Sequence, residues 1–278
     1  MMAGGRYSRP HDLHDRPVMI GVFDSGVGGL SVLVEIRRAL PAADVAYLAD
    51  RGHAPYGSRA LEEVRGLAEA CTSLLVERGA EVVVLACNTA SAAALDYLRR
   101  RHPEVTFVGM EPALKPAVAI TRNRVVGVLA TAATFQGELF ASVIGRFGKD
   151  VEIVKRACPG WADLVETAEL AGGHAESVVA EHLEPVLARG ADTLVLGCTH
   201  YPFLRPLIRA GAGAQVALID PAPAVARQVA SVWGEAARPA GNGRLSLLTT
   251  GATAPTQQVV ARLTGIEHTV TPVTLPAV

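Results

Sequence analysis

The sequence has few cysteines, and their spacing is not that of a metal site or a disulfide framework. Its 278 residues include Cys71, Cys87, Cys158 and Cys198, and no two of them form a C-x-x-C pair. No secretory signal is present either, so we expect reduced thiols in a cytoplasmic protein. A bound metal is therefore not expected.

A strong charge of either sign and a long apolar run are also lacking. The net charge is −1 and charged residues make up 19% of the chain, which gives no indication of a nucleic-acid-binding surface. No uninterrupted apolar stretch approaches the roughly 20 residues of a membrane helix. We therefore expect a small-molecule ligand, with neither nucleic acid nor membrane as a partner.

Apolar residues are abundant: they form half of the chain, which is long enough for one or two domains with a large core. Residues 1–16 are the exception, being polar and glycine-rich, and they predict a disordered leader. His11 and His14 in this segment have a spacing that a metal could use. In a flexible segment, however, solvated histidines are the favoured interpretation.

One stretch occurs twice. Residues 78–89 read RGAEVVVLACNT and residues 189–200 read RGADTLVLGCTH, and a second pair of similar segments, IGVFDS (20–25) and VGVLAT (126–131), has nearly the same separation. Two repeats at one offset indicate a duplicated α/β unit. The apolar runs in them lack polar alternation, which is typical of strands buried on both faces.

Each repeat places a cysteine, Cys87 or Cys198, where a strand ends and a helix is expected to begin. In open parallel sheets ligands bind at this edge, and a helix N-terminus favours a thiolate. Two halves facing each other would set the thiols on opposite sides of one cleft. That arrangement suits a reaction in which a proton leaves one face of a carbon and another arrives at the opposite face.

Polar residues accompany both cysteines. Asn88 and Thr89 follow the first, and Thr199 and His200 follow the second. A histidine near a strand end is weak evidence alone, because buried structural histidines are common, but the duplicated context makes a functional role more plausible.

The glycine turn that follows the first strand does not fit a dinucleotide site. Gly26 and Gly28 are followed by Ser31 where G-x-G-x-x-G requires the third glycine, and the charge of Asp24 would repel a pyrophosphate. After the next strand, the turn containing Tyr56 and Gly57 fits a ligand-binding loop and an ordinary surface turn equally well.

The remaining cysteines and histidines favour structural roles. Cys71 and Cys158 are interpreted as core residues, His53 as a loop residue with no evident partner, and His174 and His182 as solvated residues of a polar helix. Strands at 44–50 and 105–110 alternate with helices at 60–78 and 134–147, which predicts an α/β fold with mostly parallel sheets.

Taken together, the motifs resemble those of the glutamate racemases, in the aspartate/glutamate racemase family. In chain order they are GVFDSGVGGLSV, ADRGHAPYGSR, ACNTAS, ATAATF, CPGWADLVE and LGCTHYPFL. The resemblance covers nearly the whole chain from Pro17. It implies two similar α/β domains, one formed by residues 17–111 with 221–278 and the other by 112–220, with the active site between them. The implied activity is cofactor-independent interconversion of L- and D-glutamate, which supplies D-glutamate for peptidoglycan synthesis, cell-wall biogenesis and cell shape.

The resemblance also assigns catalytic roles. Cys87 would take the α-proton from D-glutamate and Cys198 would take it from L-glutamate. Asp24 would assist on the Cys87 side and His200 on the Cys198 side, with Glu166 supporting the histidine.

Substrate contacts are implied for side chains near both thiols. They are Asp24, Ser25, Tyr56, Gly57, Asn88, Thr89, Thr131, Thr134, Thr199 and His200. The chain departs from the family pattern beyond Thr134, where Gly137 and Phe140 replace an expected serine and tyrosine.

Two other readings stay open. The same paired-cysteine fold serves aspartate and hydantoin racemases, and a non-catalytic small-molecule-binding protein could also have a two-lobed cleft. The joint presence of two thiols with Asp24 and His200 argues against simple binding.

No pyridoxal lysine motif is evident, so no cofactor is expected. The sequence does not fix the oligomeric state, and a homodimer is compatible with it.

Overall fold

The computed structural model describes residues 18–136, 138–235 and 241–277. The leader predicted at residues 1–16 lies outside this range. The strands are β1 (Met19–Asp24), β2 (Val45–Ala49), β3 (Ala80–Leu85), β4 (Thr106–Gly109), β5 (Val125–Ala130), β6 (Glu152–Ala157), β7 (Thr193–Gly197), β8 (Ala217–Ile219), β9 (Leu245–Thr249) and β10 (Val270–Pro272).

Helices alternate with these strands. They are α1 (Leu30–Ala39), α2 (Leu61–Glu77), α3 (Asn88–Arg101), α4 (Leu114–Ile120), α5 (Ala132–Gln136), α6 (Glu138–Phe147), α7 (Trp161–Glu166), α8 (Gly173–Ala188), α9 (Arg205–Ala212), α10 (Ala222–Glu235) and α11 (Thr253–Thr264). Short 3-10 turns lie at Arg51–His53 and Tyr201–Leu204.

The strands form two sheets with the same internal order. The first runs β10-β9-β2-β1-β3-β4 and the second runs β6-β5-β7-β8. In each, the opening strand of the unit is central, its second strand lies on one side, and the cysteine strand and a further strand lie on the other. Within the described residues every strand pairing is parallel. The duplicated α/β fold predicted from the two repeats is therefore confirmed.

The last strands of the chain return to the first sheet. β9 pairs with β2 over five residues, and β10 extends the sheet beyond β9. Pro272 can lie in β10 because an edge strand leaves one row of backbone N–H groups unpaired. The domain boundaries at 111–112 and 220–221 stay a prediction.

Apolar runs and helix periodicity explain where the core lies. β3 and β7 are buried along nearly their whole length, as strands covered on both faces must be. α1 directs Leu30, Leu33 and Ile36 inward, at the spacing of one helix face, and has two arginines in its last turn. Within the described part of the chain, no helix is both long and apolar enough to cross a membrane.

The predicted element bounds are mostly close to those observed. The strand predicted at 44–50 and the helix predicted at 60–78 are β2 and α2. The helix predicted at 134–147 begins two residues earlier than expected, at Ala132, and ends at Phe147 as predicted; residue 137 within it lies outside the described residues.

Candidate active site

A cavity of about 250 Å³ lies at the carboxyl ends of the strands of both sheets. This is the edge at which open parallel sheets bind ligands. The lining residues are Asp24, Ser25, Arg51, Ala54, Pro55, Tyr56, Gly57, Cys87, Asn88, Thr89, Thr131, Ala162, Asp163, Glu166, Cys198, Thr199 and His200. Both repeated cysteines therefore reach the same cavity, each from its own half of the molecule.

Cys87 is the N-cap residue of α3. Its sulfur accepts a hydrogen bond from the Ala90 N–H at 3.5 Å, and its S–H lies 3.8 Å from the Ser25 hydroxyl oxygen. Burial, reinforced by the charge of Asp24, raises the pKa of the Cys87 thiol well above its ordinary value and outweighs the bond from the helix N-terminus. The bond from the helix N-terminus acts in the predicted direction, toward the thiolate, but burial and the charge of Asp24 together have the larger effect.

Asp24 lies fully buried at the end of β1. Its carboxylate accepts hydrogen bonds from the backbone N–H groups of Ser25 and Gly29, and from the Thr199 hydroxyl of the other half at 3.1 Å. Burial is the largest influence on the pKa of Asp24, which lies above its usual value despite the opposing charge of His200. The carboxyl group is thus fixed by donors from both halves of the molecule.

Cys198 follows β7 but does not begin an α-helix. Residues 198–200 form a turn that leads into the 3-10 turn at Tyr201, so the predicted strand-to-helix junction is wrong on this side. The partner of this thiol is a side chain instead: His200 Nδ1 lies 3.5 Å from the Cys198 sulfur. The two halves share a backbone plan and differ in what they place beside the thiol.

His200 is buried and is held from its other side by Glu166. Nε2 lies 2.7 Å from Glu166 Oε1, which also accepts the Val27 N–H at 2.7 Å. Burial lowers the pKa of His200, but the hydrogen bonds to Cys198 and Glu166 and the negative charges of Cys198 and Asp24 outweigh it and raise the pKa well above 6.5. This shift favours the imidazolium form of the ring beside Cys198.

The predicted substrate-binding side chains take different places. Asn88 lines the cavity, and both polar atoms of its buried amide have no hydrogen-bond partner. Thr89 and Thr131 join their hydroxyls across the cleft at 3.0 Å. Thr134 does not line the cavity but lies behind Thr131, bonded to its hydroxyl at 2.9 Å. The phenol of Tyr56 bonds to Asp50 at 2.5 Å.

The departures from the family pattern lie away from this cavity or outside the described residues. Phe140 is buried beside Phe135 in the cluster under the second sheet. Gly137 lies outside the described residues. Cys71 and Cys158 are core residues that do not line the cavity.

Two histidine predictions are corrected. His53 has a partner, since its Nδ1 lies 2.7 Å from Asp50. His182 is buried rather than solvated: Nδ1 accepts from Arg156 at 3.0 Å and Nε2 donates to the Pro159 carbonyl at 3.1 Å. His174 is exposed and paired with Glu169, in keeping with the prediction.

Arg51 and Asp163 are charged residues that line the cavity and that the sequence analysis did not single out. Arg51 has the longer-range contacts. It follows Asp50 at the end of β2 and reaches Glu166, 115 positions later in the chain. No local sequence pattern indicates such a contact. Within residues 18–136, 138–235 and 241–277, no group of three or more acidic, histidine or cysteine side chains is arranged to hold a metal ion.

The comparisons with known proteins point to one family. The profile described as Asp/Glu/Hydantoin racemase matches residues 20–229. A glutamate racemase of Herpetosiphon aurantiacus is 53% identical over 216 residues, which is 78% of this chain and 84% of the relative.

Solved structures with the same fold include two glutamate racemases. The isoform RacE1 of Bacillus anthracis matches with a TM-score of 0.85 at 31% identity, over 94% of this chain and 99% of that one. The Escherichia coli enzyme, in complex with L-glutamate and the activator UDP-MurNAc-ala, matches with a TM-score of 0.83 at 30% identity, over the same shares of both chains. With a family profile that spans most of the sequence, this chain belongs to the Asp/Glu/hydantoin racemase family.

Proposed function

We propose that this protein is a glutamate racemase that exchanges the α-proton of glutamate between two cysteines without a cofactor. The observation that carries the proposal is the pair Cys87 and Cys198, which line one cavity and come from equivalent positions of two similar halves. Proton removal on one face of a carbon and delivery on the other inverts its configuration. A binding protein would need neither thiol.

The two thiols need opposite protonation states at the start of each turnover. Burial raises the pKa of the Cys87 thiol, which favours its protonated form. This state suits L-glutamate: Cys198 takes the α-proton and Cys87 delivers its own to the opposite face. The imidazolium of His200 then offsets negative charge near Cys198. Inversion of D-glutamate requires the reverse state, in which Asp24 assists removal of the proton from Cys87.

The cavity offers donors for the two carboxylates and the charge that develops at the reacting carbon. They are the N-terminus of α3 behind Cys87, the amide of Asn88, and the hydroxyls of Ser25, Thr89, Thr131 and Thr199. Helix N-termini favour anions, and a volume of about 250 Å³ suits a small amino acid. We propose that Thr134 orients the Thr131 hydroxyl for substrate binding. Tyr56 and Gly57 would contact the substrate from the loop that forms one wall of the cavity.

Glutamate is favoured over other substrates by the relatives. The Herpetosiphon protein carries that name, and the Escherichia coli structure holds L-glutamate. An aspartate racemase of Picrophilus torridus, at 16% identity, shares the fold alone.

The proposed role is supply of D-glutamate for peptidoglycan. The proposed location is the cytoplasm, where free thiols such as these four stay reduced. A homodimer stays a prediction, to be checked by sedimentation.

The test is incubation with L-glutamate in D2O without added cofactor, following optical activity and α-deuterium together. We expect optical activity to vanish as deuterium enters D-glutamate. Cys87→Ser and Cys198→Ser should each lower the rate at least about 10²-fold, the contribution of a general acid or base. Full activity in either single variant would exclude the two-base scheme. An inert L-glutamate with racemisation of another acidic amino acid would overturn only the substrate assignment.

A further inference from the structure

Arg51 has a hydrogen-bond acceptor for each of its three guanidinium nitrogens. Nε donates to Glu166 Oε2 at 2.8 Å, Nη2 to the Glu166 backbone carbonyl at 2.9 Å, and Nη1 to the Thr256 hydroxyl at 3.1 Å. The side chain is 18% exposed. A guanidinium held by three acceptors has a fixed position, so its charge acts on Glu166.

These contacts join the two halves of the molecule. Arg51 follows β2 of the first sheet, whereas Glu166 is the last residue of α7 and belongs with the second sheet. The Arg51 bond to the carbonyl also satisfies a backbone acceptor at the end of that helix, where a cation is favourable. Arg51 thus donates hydrogen bonds to both the side chain and the backbone of Glu166.

Glu166 is the link between Arg51 and the reaction. Its Oε1 accepts from His200, whose other nitrogen lies 3.5 Å from the Cys198 sulfur. Burial raises the pKa of Glu166, but the bond and charge of His200, the Val27 N–H and the charge of Arg51 together hold it below its ordinary value. The four side chains form one series from Arg51 through Glu166 and His200 to Cys198.

We infer that Arg51 is a positioning residue for proton transfer at Cys198, because it holds Glu166 across the cleft and so keeps His200 against the thiol. The inference deepens the proposed racemase function and rests on it for the identity of the reaction. Arg51 itself need not touch the substrate.

The decisive comparison is between Arg51→Met and Arg51→Lys, with kcat and KM for glutamate measured across pH. In Arg51→Met we expect kcat to fall about 10- to 100-fold, as for a misplaced catalytic group, with KM changed much less. The acidic limb of kcat should move to higher pH, because Glu166 without its cation is protonated more readily. Arg51→Lys keeps the charge and should restore part of both effects.

The matched control is Arg205→Met. Arg205 forms an ion pair with Asp220 at 3.2 Å and does not line the cavity. This variant should keep kcat and its pH profile within about twofold of wild type, since partly exposed ion pairs contribute little.

A second readout does not depend on activity. In the substrate-free enzyme the His200 ring proton that bonds to Glu166 should give a protected, downfield NMR signal, assigned by its loss in His200→Gln. We expect this signal to broaden in Arg51→Met and to persist in Arg205→Met. A wild-type kcat profile and an intact signal in Arg51→Met would overturn the inference and leave Arg51 a structural tie. If wild type does not racemise glutamate, the proposed function fails, and the NMR signal still decides whether Arg51 positions His200.

Discussion

Asn88 illustrates how a single residue can serve the ligand rather than the fold. It is the first residue of α3, is only 4% exposed, and neither its amide oxygen nor its amide nitrogen has a hydrogen-bond partner. Burying an amide without partners costs about 1–3 kcal/mol. A group kept at such a cost in the cavity that both thiols line is expected to bond to the substrate.

Asn88→Ala should therefore separate binding from stability. We expect the free energy of unfolding to stay within about 1 kcal/mol of wild type, because an unsatisfied group is removed. KM for glutamate should rise about 10- to 100-fold, the equivalent of one or two lost bonds. Thermal unfolding and steady-state kinetics check both values.

Ser91→Ala is the matched control from the same helix. The Ser91 hydroxyl donates to the Leu85 carbonyl at 3.1 Å and accepts the Met110 N–H at 2.9 Å, away from the cavity. It should lose about 1–3 kcal/mol of stability with KM unchanged. A destabilised Asn88→Ala with normal KM would show that Asn88 has a structural role.

The residues that sequence reasoning found and those it missed differ in the range of their contacts. Cys87 and Cys198 could be found because duplication places them at equivalent strand ends. Arg51 could not, because its role depends on Glu166, which lies beside it only in the folded structure. His182 could have been recognised: Val179 and Val186 lie three and four positions away on the same buried face of α8.

Among the elements, the turn between β1 and α1 shows why a glycine-rich loop was misleading as a nucleotide signal. A Cβ added at Gly26 would overlap Glu166 Oε1, and one added at Gly28 would overlap the His200 ring. The glycines are therefore needed for close approach of the second half. They give Glu166 and His200 room beside the first half.

Gly28→Ala should consequently damage the site more than the fold. We expect kcat to fall at least about 10-fold, since the methyl group displaces His200 from Cys198. Gly66→Ala in α2 is the control, because nothing lies within 4 Å of the added Cβ. That variant should gain about 0.5–1 kcal/mol of stability, as expected for alanine in a helix, with unchanged kcat. Equal kcat in both variants would contradict this account of the turn.

Element types were predictable where the pattern was long and apolar, as in β3, β7 and α2. The segment after Cys198 was not. Pro202 lies in the first turn there, a position that an α-helix also accepts, so the sequence does not distinguish a 3-10 turn from an α-helix. Its 3-10 turn replaces the helix N-terminus found at Cys87. The two thiols thus differ in their nearest partners, a backbone N–H at Cys87 and the His200 ring at Cys198.

In the whole molecule, polar contacts at the cavity connect the two halves. Thr199 bonds to Asp24, Ser31 donates to the Thr199 carbonyl at 2.9 Å, and Glu166 accepts from Val27 and Arg51. The repeats predicted two facing units, but the sequence could not give these pairings, which depend on the relative placement of the halves. The protonation states of His200 and Glu166 should therefore change the free energy of global unfolding.

The pH dependence of stability follows from the directions of these two pKa values. The pKa of His200 is raised, so its contribution is complete below 6.5 and is lost as pH rises through its folded-state pKa. The pKa of Glu166 is lowered, so its contribution is complete above 4.5 and is lost as pH falls through its folded-state pKa. Between 4.5 and 6.5 both contributions are present.

His200→Gln should accordingly differ from wild type most between these two pH values. Urea unfolding across pH should give a difference in the free energy of unfolding that shrinks as pH rises above 6.5 and through the raised pKa of His200. His174→Gln is the control, because its pair with Glu169 is exposed and contributes little. A difference between wild type and His200→Gln that grew with pH above 6.5 would contradict this account. It would mean that His200 is buried as a neutral ring and that no imidazolium lies beside Cys198.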